Sequence, residues 1–165
     1  MTCAFHLVDD VRNARSELLA ACQDVSDSDL RRRPPGSQAE PVEAWAIIEL
    51  LAHLPDVDRY YRSQAQQIRD VPGHMFVYFD ENGWALENAD AIERDAHAVK
   101  LAMAAAHDEV VRWTRGLTLE ELDRAGGHPR RGSITVRQMV QRIANHDRTH
   151  TDQVRALRRA LAELG

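Results

Sequence analysis

Lysine is almost missing from this chain. Of 21 basic residues only Lys100 is a lysine, and the rest are arginines. That bias reads as codon usage rather than as a purpose-built arginine surface. Acidic residues outnumber basic ones, 26 to 21, for a net charge of −5 with histidine neutral, which argues against a general nucleic-acid binder. Cysteine is scarce as well. Cys3 and Cys22 have no metal-ligand spacing and make no disulfide framework. Cys22 falls on an apolar helical stripe, where a buried thiol behaves as a small hydrophobe. No apolar run approaches the length of a membrane span. The N-terminal MTCAFHLVDDVRNAR has neither the basic start nor the long apolar run of a signal peptide. No Ser-His-Asp set or glycine-rich phosphate motif is visible. The expectation is a cytoplasmic protein with no membrane and no nucleic-acid partner.

What is present is helical periodicity. The 165 residues, 44% hydrophobic and 28% charged, fit one globular domain spanning 1–165. Four apolar stripes repeat in steps of three and four. The first runs Leu7, Val11, Ala14, Leu18, Cys22, Val25, and the second Val42, Ala46, Leu50, His53, Val57, Tyr60, Gln64, Ile68. The third runs Ala89, Ile92, Ala96, Val99, Met103, Ala106, Val110, Trp113, Leu117, and the fourth Met139, Ile143, His146, His150, Val154, Leu157, Leu161. Proline- and glycine-bearing segments separate them: RRRPPGSQAEP, DVPGHMFVYFDENGW and AGGHPRRGS. Ser133 or Thr135 is placed to cap the fourth helix. HMFVYF is the one strand-like run; without an evident partner strand it reads as an ordered loop over one end of the bundle. Leu30 precedes His53 by 23 residues and Leu122 precedes His146 by 24, a faint internal echo that suggests two related helical hairpins. The fold class is therefore all-α: a four-helix bundle of two αα-hairpins with a long loop between helices two and three.

Histidine sits where the core should be. His146 and His150 are one turn apart on one helix face, between Ile143 and Val154. His53 interrupts the second stripe in the same way, between Leu50 and Val57. A buried polar side chain is costly without a partner, and neutral imidazoles satisfy one another poorly. A divalent cation satisfies several lone pairs at once, so His53, His146 and His150 are the candidate metal ligands. Three protein ligands leave coordination positions open, as catalytic sites do. The run HDRTH resembles the H-E-x-x-H of zinc proteases, but Asp147 replaces the glutamate general base and no histidine follows His150. A third ligand is expected upstream instead.

ELLAHLPDVDRYY on the second helix and HDRTHTDQVRALR on the fourth resemble the DinB-like (YfiT-like) family of metal-binding four-helix bundles. The likeness extends to the DLRRRP turn before helix two and the GHPRRGSITV run before helix four, and its most specific part is H-x-x-x-H-x-x-Q, His146 to Gln153. It implies a homodimer acting on a small-molecule substrate, with zinc or nickel on His53, His146 and His150. It further implies a possible low-molecular-weight thiol cosubstrate, because characterised relatives include bacillithiol- or mycothiol-dependent S-transferases and a mycothiol-dependent maleylpyruvate isomerase. The leading expectation is a metal-dependent enzyme that activates a thiol or water. The alternatives are a metal-stabilised stress-related or dimerising module and a metal-dependent hydrolase.

Several neighbouring residues admit two readings. Pro55 either kinks helix two toward the metal or breaks it. Asp56, one turn from His53, either orients a ligand or is solvated. Tyr60 shares the His53 face and either lines a pocket or packs in the core. His74 belongs to a loop, 74–79, that is placed to roof the site. His6, His97, His107 and His128 read as surface or boundary residues. Arg148, Arg155, Arg158 and Arg159 read as solvated charges, one or two of which an anionic cosubstrate would use as a basic rim.

Overall fold

The computed structural model describes residues 2–34 and 44–163; Val42 of the second stripe lies outside them. In chain order the helices are α1 (Thr2–Ala21), α2 (Asp27–Leu30), α3 (Ile47–Asp70), α4 (Glu81–Glu87), α5 (Ala96–Arg115), α6 (Leu119–Asp123) and α7 (Val136–Ala162). A 3-10 turn covers Ala91–Glu93, and two short strands, β1 (Ala125–His128) and β2 (Gly132–Thr135), lead into α7. No helix among the described residues is long and apolar enough to cross a membrane.

The helix ends follow their local chemistry. Thr135, rather than Ser133, caps α7. Its hydroxyl accepts from Gln138 N at 3.2 Å while Gln138 Oε1 accepts from Thr135 N at 2.9 Å, a reciprocal capping box. Asp95 caps α5 by accepting from Ala98 N at 2.8 Å. At the start of α3 the buried Glu49 carboxylate accepts from Ala46 N at 2.8 Å and from two nitrogens of Arg33 at 3.0 and 2.6 Å. The stripes overrun the helices at both connections. Val25 lies beyond the end of α1, and Ala89 and Ile92 belong to the turns before α5. Pro55 neither ends nor splits α3, which runs unbroken through it.

α1, α3, α5 and α7 form the expected four-helix bundle. Its closely packed long-helix pairs, among the described residues, are α1 with α7, α3 with α5 and with α7, and α1 with α5. Pairs joined in sequence as echoing hairpins, α1 with α3 and α5 with α7, are thus not the main packing partners. Adjacent antiparallel helices need loops of only about 2–5 residues. The connections here are far longer and let the chain cross to a different neighbour.

The hairpin β1–β2 is absent from the sequence reading and is found in the structure. Ala125 pairs with Thr135 and His128 with Gly132; Gly132 takes φ of +79° after the three-residue turn, where glycine is favoured. HMFVYF also has a partner after all. Phe76 N donates to Gly127 O at 2.9 Å and Gly127 N donates to His74 O at 2.8 Å, so the run docks as a one-bridge edge beside β1. Gly126 permits this approach, since a Cβ there would lie 2.5 Å from His74 O.

The apolar core divides into two clusters. One gathers Val11, Val57, Tyr61, Phe76, Val110, Met139 and Ile143; the other gathers Leu18, Leu50, Leu54, Trp84, Met103 and Val154. Between them, on all the long helices, lie buried polar side chains. The centre of this layer is Arg15 on α1. Its Nη2 donates to Asp58 Oδ2 on α3 at 2.9 Å and its Nε to Asp147 Oδ2 on α7 at 2.8 Å. Its Nη1 reaches Met103 O on α5 at 3.3 Å. Burial opposes the guanidinium charge, but Asp58 and Asp147 hold its pKa above the ordinary value. Burial pushes the Asp58 carboxyl up to about 6 against the pull of Arg15.

Removing Arg15 would leave two buried carboxylates without a counter-charge. Arg15→Met is expected to lower the unfolding free energy by about 3–5 kcal/mol, read from the urea midpoint at unchanged slope. A midpoint close to that of the unmodified chain would show that the network carries no weight.

Candidate metal centre

α3 contributes His53 and α7 contributes His146 and His150. One ligand atom from each, all within 4.8 Å of one another, makes the group of three that could hold a metal ion. The structure thus brings together all three histidines singled out in the sequence. His53 and His150 are buried and His146 is half-buried. The rings pack edge to face, with centroids 4.7 Å apart for His53–His150, 5.3 Å for His53–His146 and 4.4 Å for His146–His150.

Each deep ring is oriented by a bond at Nδ1. His53 Nδ1 donates to Leu50 O at 2.7 Å, and His150 Nδ1 donates to Gln153 Oε1. Gln153 is the glutamine of the H-x-x-x-H-x-x-Q run. With Nδ1 protonated, the lone pair lies on Nε2. His53 Nε2 is buried and has no hydrogen-bond partner. His150 Nε2 lies 3.2 Å from His146 Nε2, which also faces Glu81 Oε1 at 3.3 Å. A single proton on His146 Nε2 therefore serves two acceptors while a third lone pair goes unmet. A divalent cation there would satisfy all three nitrogens, and imidazole suits zinc and nickel. The donor set fits the ion.

The electrostatics agree. Burial, then the neighbouring His150 and His146, hold the His53 imidazole well below its ordinary pKa. Burial and His146 push His150 down to about 3. Both stay neutral at ordinary pH, the form that binds a metal. The hydrogen bond from His146 holds the Glu81 carboxyl below its usual range.

The surroundings correct several expectations. Asp147 was not expected to act as a general base, and it turns away from the site to Arg15. Asp56 does not reach a histidine; it accepts from Trp84 Nε1 at 2.8 Å, and Trp84 stands edge-on to His53 at 5.8 Å. Tyr61, not Tyr60, meets His146, at 6.2 Å, while Tyr60 packs on Tyr61 and Phe79. His128 and His107 are buried rather than superficial, whereas His6 and His97 are exposed. His74 binds Gln64 Oε1 at 3.2 Å, and its loop packs on Tyr60 and His128. Three of the arginines read as solvated have partners: Arg148 pairs with Asp10, Arg155 with Asp152, and Arg158 with Ala21 O.

Glu81, Trp84 and Trp45 were missed in the sequence. Trp45 lies 5.0 Å from His53 and 5.5 Å from Trp84, closing the deep side of the cluster. Glu81 and Trp84 sit on α4, within the segment read as loop. Asp80 caps that helix by accepting from Gly83 N at 2.9 Å, and the D-x-x-G spacing was the available signal.

Residues 11–154 match the profile of the DinB superfamily. The chain belongs to the DinB superfamily. Among solved structures, a similar one is that of YfiT from Bacillus subtilis, described as "a probable metal-dependent hydrolase with an unusual four-helix bundle topology". The two share 18% identity with a TM-score of 0.78 over 96% of this chain and 87% of that one. At that identity the likeness establishes the DinB-like fold alone. No curated protein matches the chain.

Protonation of the buried imidazoles is deferred to the unfolded chain, where histidine titrates near about 6.5. Below that value the unfolded state binds more protons than the folded one, so stability is lost as pH falls from about 6.5 toward the folded pKa of His150, about 3. The slope is at most about 1.4 kcal/mol per pH unit for each such group. Chelator-treated protein unfolded in urea at pH 7 and pH 5 should show the loss, and His150→Ala a smaller one. A midpoint that ignores pH would contradict neutral buried rings.

Proposed function

We propose that the chain is a divalent-metal-dependent hydrolase-type enzyme acting on a small molecule, with His53, His146 and His150 holding zinc or nickel. The observation that carries this reading is the convergence of three imidazole nitrogens, one of them buried and unpartnered. When bound, the ion supplies positive charge that lowers the pKa of a water or thiol beside it. Leu50 O and Gln153 fix the tautomers of His53 and His150, and such supporting bonds orient ligands. Trp45 and Trp84 keep bulk water from the deep side. Glu81 is the base: its ionised Oε1, against His146, is placed to take a proton from the attacking group.

Glu81 favours water over thiol as the nucleophile, because a thiol in so positive a site needs no base. A thiol-dependent transfer remains the second reading. It is supported by the charge of the donor set, three neutral ligands that leave a full positive charge for a thiolate.

Metal analysis with a panel of activated esters and electrophiles, each with and without added thiol, tests both. The chain should carry about one divalent ion per three-histidine site, and His150→Ala should lose it. Glu81→Gln should keep the ion and lose about 10²–10⁴-fold in rate. Unchanged metal in His150→Ala would sink the site. Rates that require thiol and ignore Glu81→Gln would select the transferase reading. Metal that stabilises the fold with no turnover of any compound would leave a structural module.

A further inference from the structure

A second polar site lies one turn before the histidines of α7. A cavity of about 300 Å³ opens between α7 and the β1–β2 hairpin. Its polar lining includes Arg131, Ser133, Gln138, Gln141, Arg142 and Asn145, and no carboxylate lines it.

Arg142 is the unusual member. It is half-buried, and its Nε is buried without a hydrogen-bond partner. Nη2 makes only a long bond, 3.4 Å, to Tyr61 Oη. The guanidinium lies over the rings of Tyr61, Phe76 and Tyr78 at 5.0, 5.3 and 4.8 Å. Among the described residues, the ion pairs of α7 join Arg137 to Asp123, His146 to Glu81, Asp147 to Arg15, Arg148 to Asp10 and Arg155 to Asp152. Arg142 takes part in none of them.

A partly desolvated cation with no ion-pair partner, its charge felt only at longer range by Glu81, is costly. Here three aromatic rings lie within 5.3 Å of its Cζ, and the outer end of its fork is left for a planar anion. The hairpin adds to the same field. His128 Nδ1 accepts from the backbone N of Arg130 and of Arg131, both at 3.1 Å. Its Nε2–H therefore turns to Tyr78 Oη, 3.2 Å away, and the ring brings no negative charge to the cavity. Tyr61 touches Arg142 on one side and His146 on the other. Four residues of helix separate the two, about 6 Å along the axis.

We infer that this cavity binds the carboxylate of a small organic acid, gripped by Arg142 with Arg131 at the rim, and that the substrate of the three-histidine site is such an acid. Gln138, Gln141 and Asn145 would meet its other polar groups. The grip stands on Arg142 alone; only the statement that the acid is the substrate rests on the metal-site reading.

Calorimetric titration of the metal-loaded protein with succinate, neutral succinamide and inorganic phosphate is the test. Succinate should bind, with succinamide and phosphate at least about tenfold weaker. Arg142→Gln should weaken succinate by about tenfold or more, and Arg142→Lys by less, since charge survives while the fork is lost. Metal content should be unchanged in both. Arg131→Gln, at an exposed position, should weaken it by about threefold and guards against a misfolded Arg142 variant. Succinate binding indifferent to these substitutions overturns the inference, and phosphate or succinamide binding as tightly overturns the carboxylate. His150→Ala separates the two readings. It should lose metal and keep the Arg142-dependent binding; retained metal there would defeat the metal site without touching the carboxylate grip.

Discussion

One guanidinium meets all four long helices. Arg15 leaves α1 and finds a carboxylate on α3, another on α7 and a carbonyl on α5. Such a buried network is a weak source of net stability compared with apolar packing, but removal of one member is severe. Its strength lies in geometry. Bonds to Asp147 fix the rotation of α7 about its own axis, and the next residue back is His146. With Asp147 held toward α1, a step of about 100° per residue turns His146 and His150 toward α3. There His53 waits one and a half turns before Asp58, which the same arginine holds. The rotation of α7 and the position of α3 are thus set by a contact outside the histidine cluster.

The histidines were legible because they break a pattern. Ile143 and Val154 define a stripe, and two imidazoles within it have no reason to be there without a partner. Arg15 and Asp58 obey the same logic but were not singled out, and Asp147 was noted only for standing where the protease glutamate would. Arg15 follows Ala14 and stands four residues after Val11, close enough to the stripe edge to pass as a solvated charge. Only the packing of α1 against α7, which the hairpin-like echo in the sequence does not suggest, shows that its fork is covered. The β1–β2 hairpin was illegible for a different reason. AGGH and GSIT lack the apolar alternation of a strand. Gly126 and Gly127 serve the close approach of the His74–Phe76 segment, a tertiary contact with no local signature. α4 is too short for periodicity, so Glu81 and Trp84 passed as loop although a capping aspartate stood before them.

The candidate centre is lopsided, and the asymmetry bears on how a substrate would approach. His53 is enclosed by Trp45 and Trp84, and Asp56 anchors the Trp84 indole from behind. That side is dry and crowded. On the other side His146 is half-buried, with Glu81 against it and Arg142 a turn away, so charge of both signs meets the solvent there. A cation that binds an anionic end and a carboxylate that takes a proton do not compete if they sit on different sides of His146. They would quench each other if paired. Glu81 bonds to His146 and Arg142 lies against three aromatic rings, so the two form no ion pair, although the arginine's charge still reaches Glu81 and helps hold its carboxyl low. The aromatic run after His74, which had the look of a stray strand, supplies two of those rings and through Asp80 leads directly into α4. It links two of the rings around Arg142 to the helix that carries Glu81.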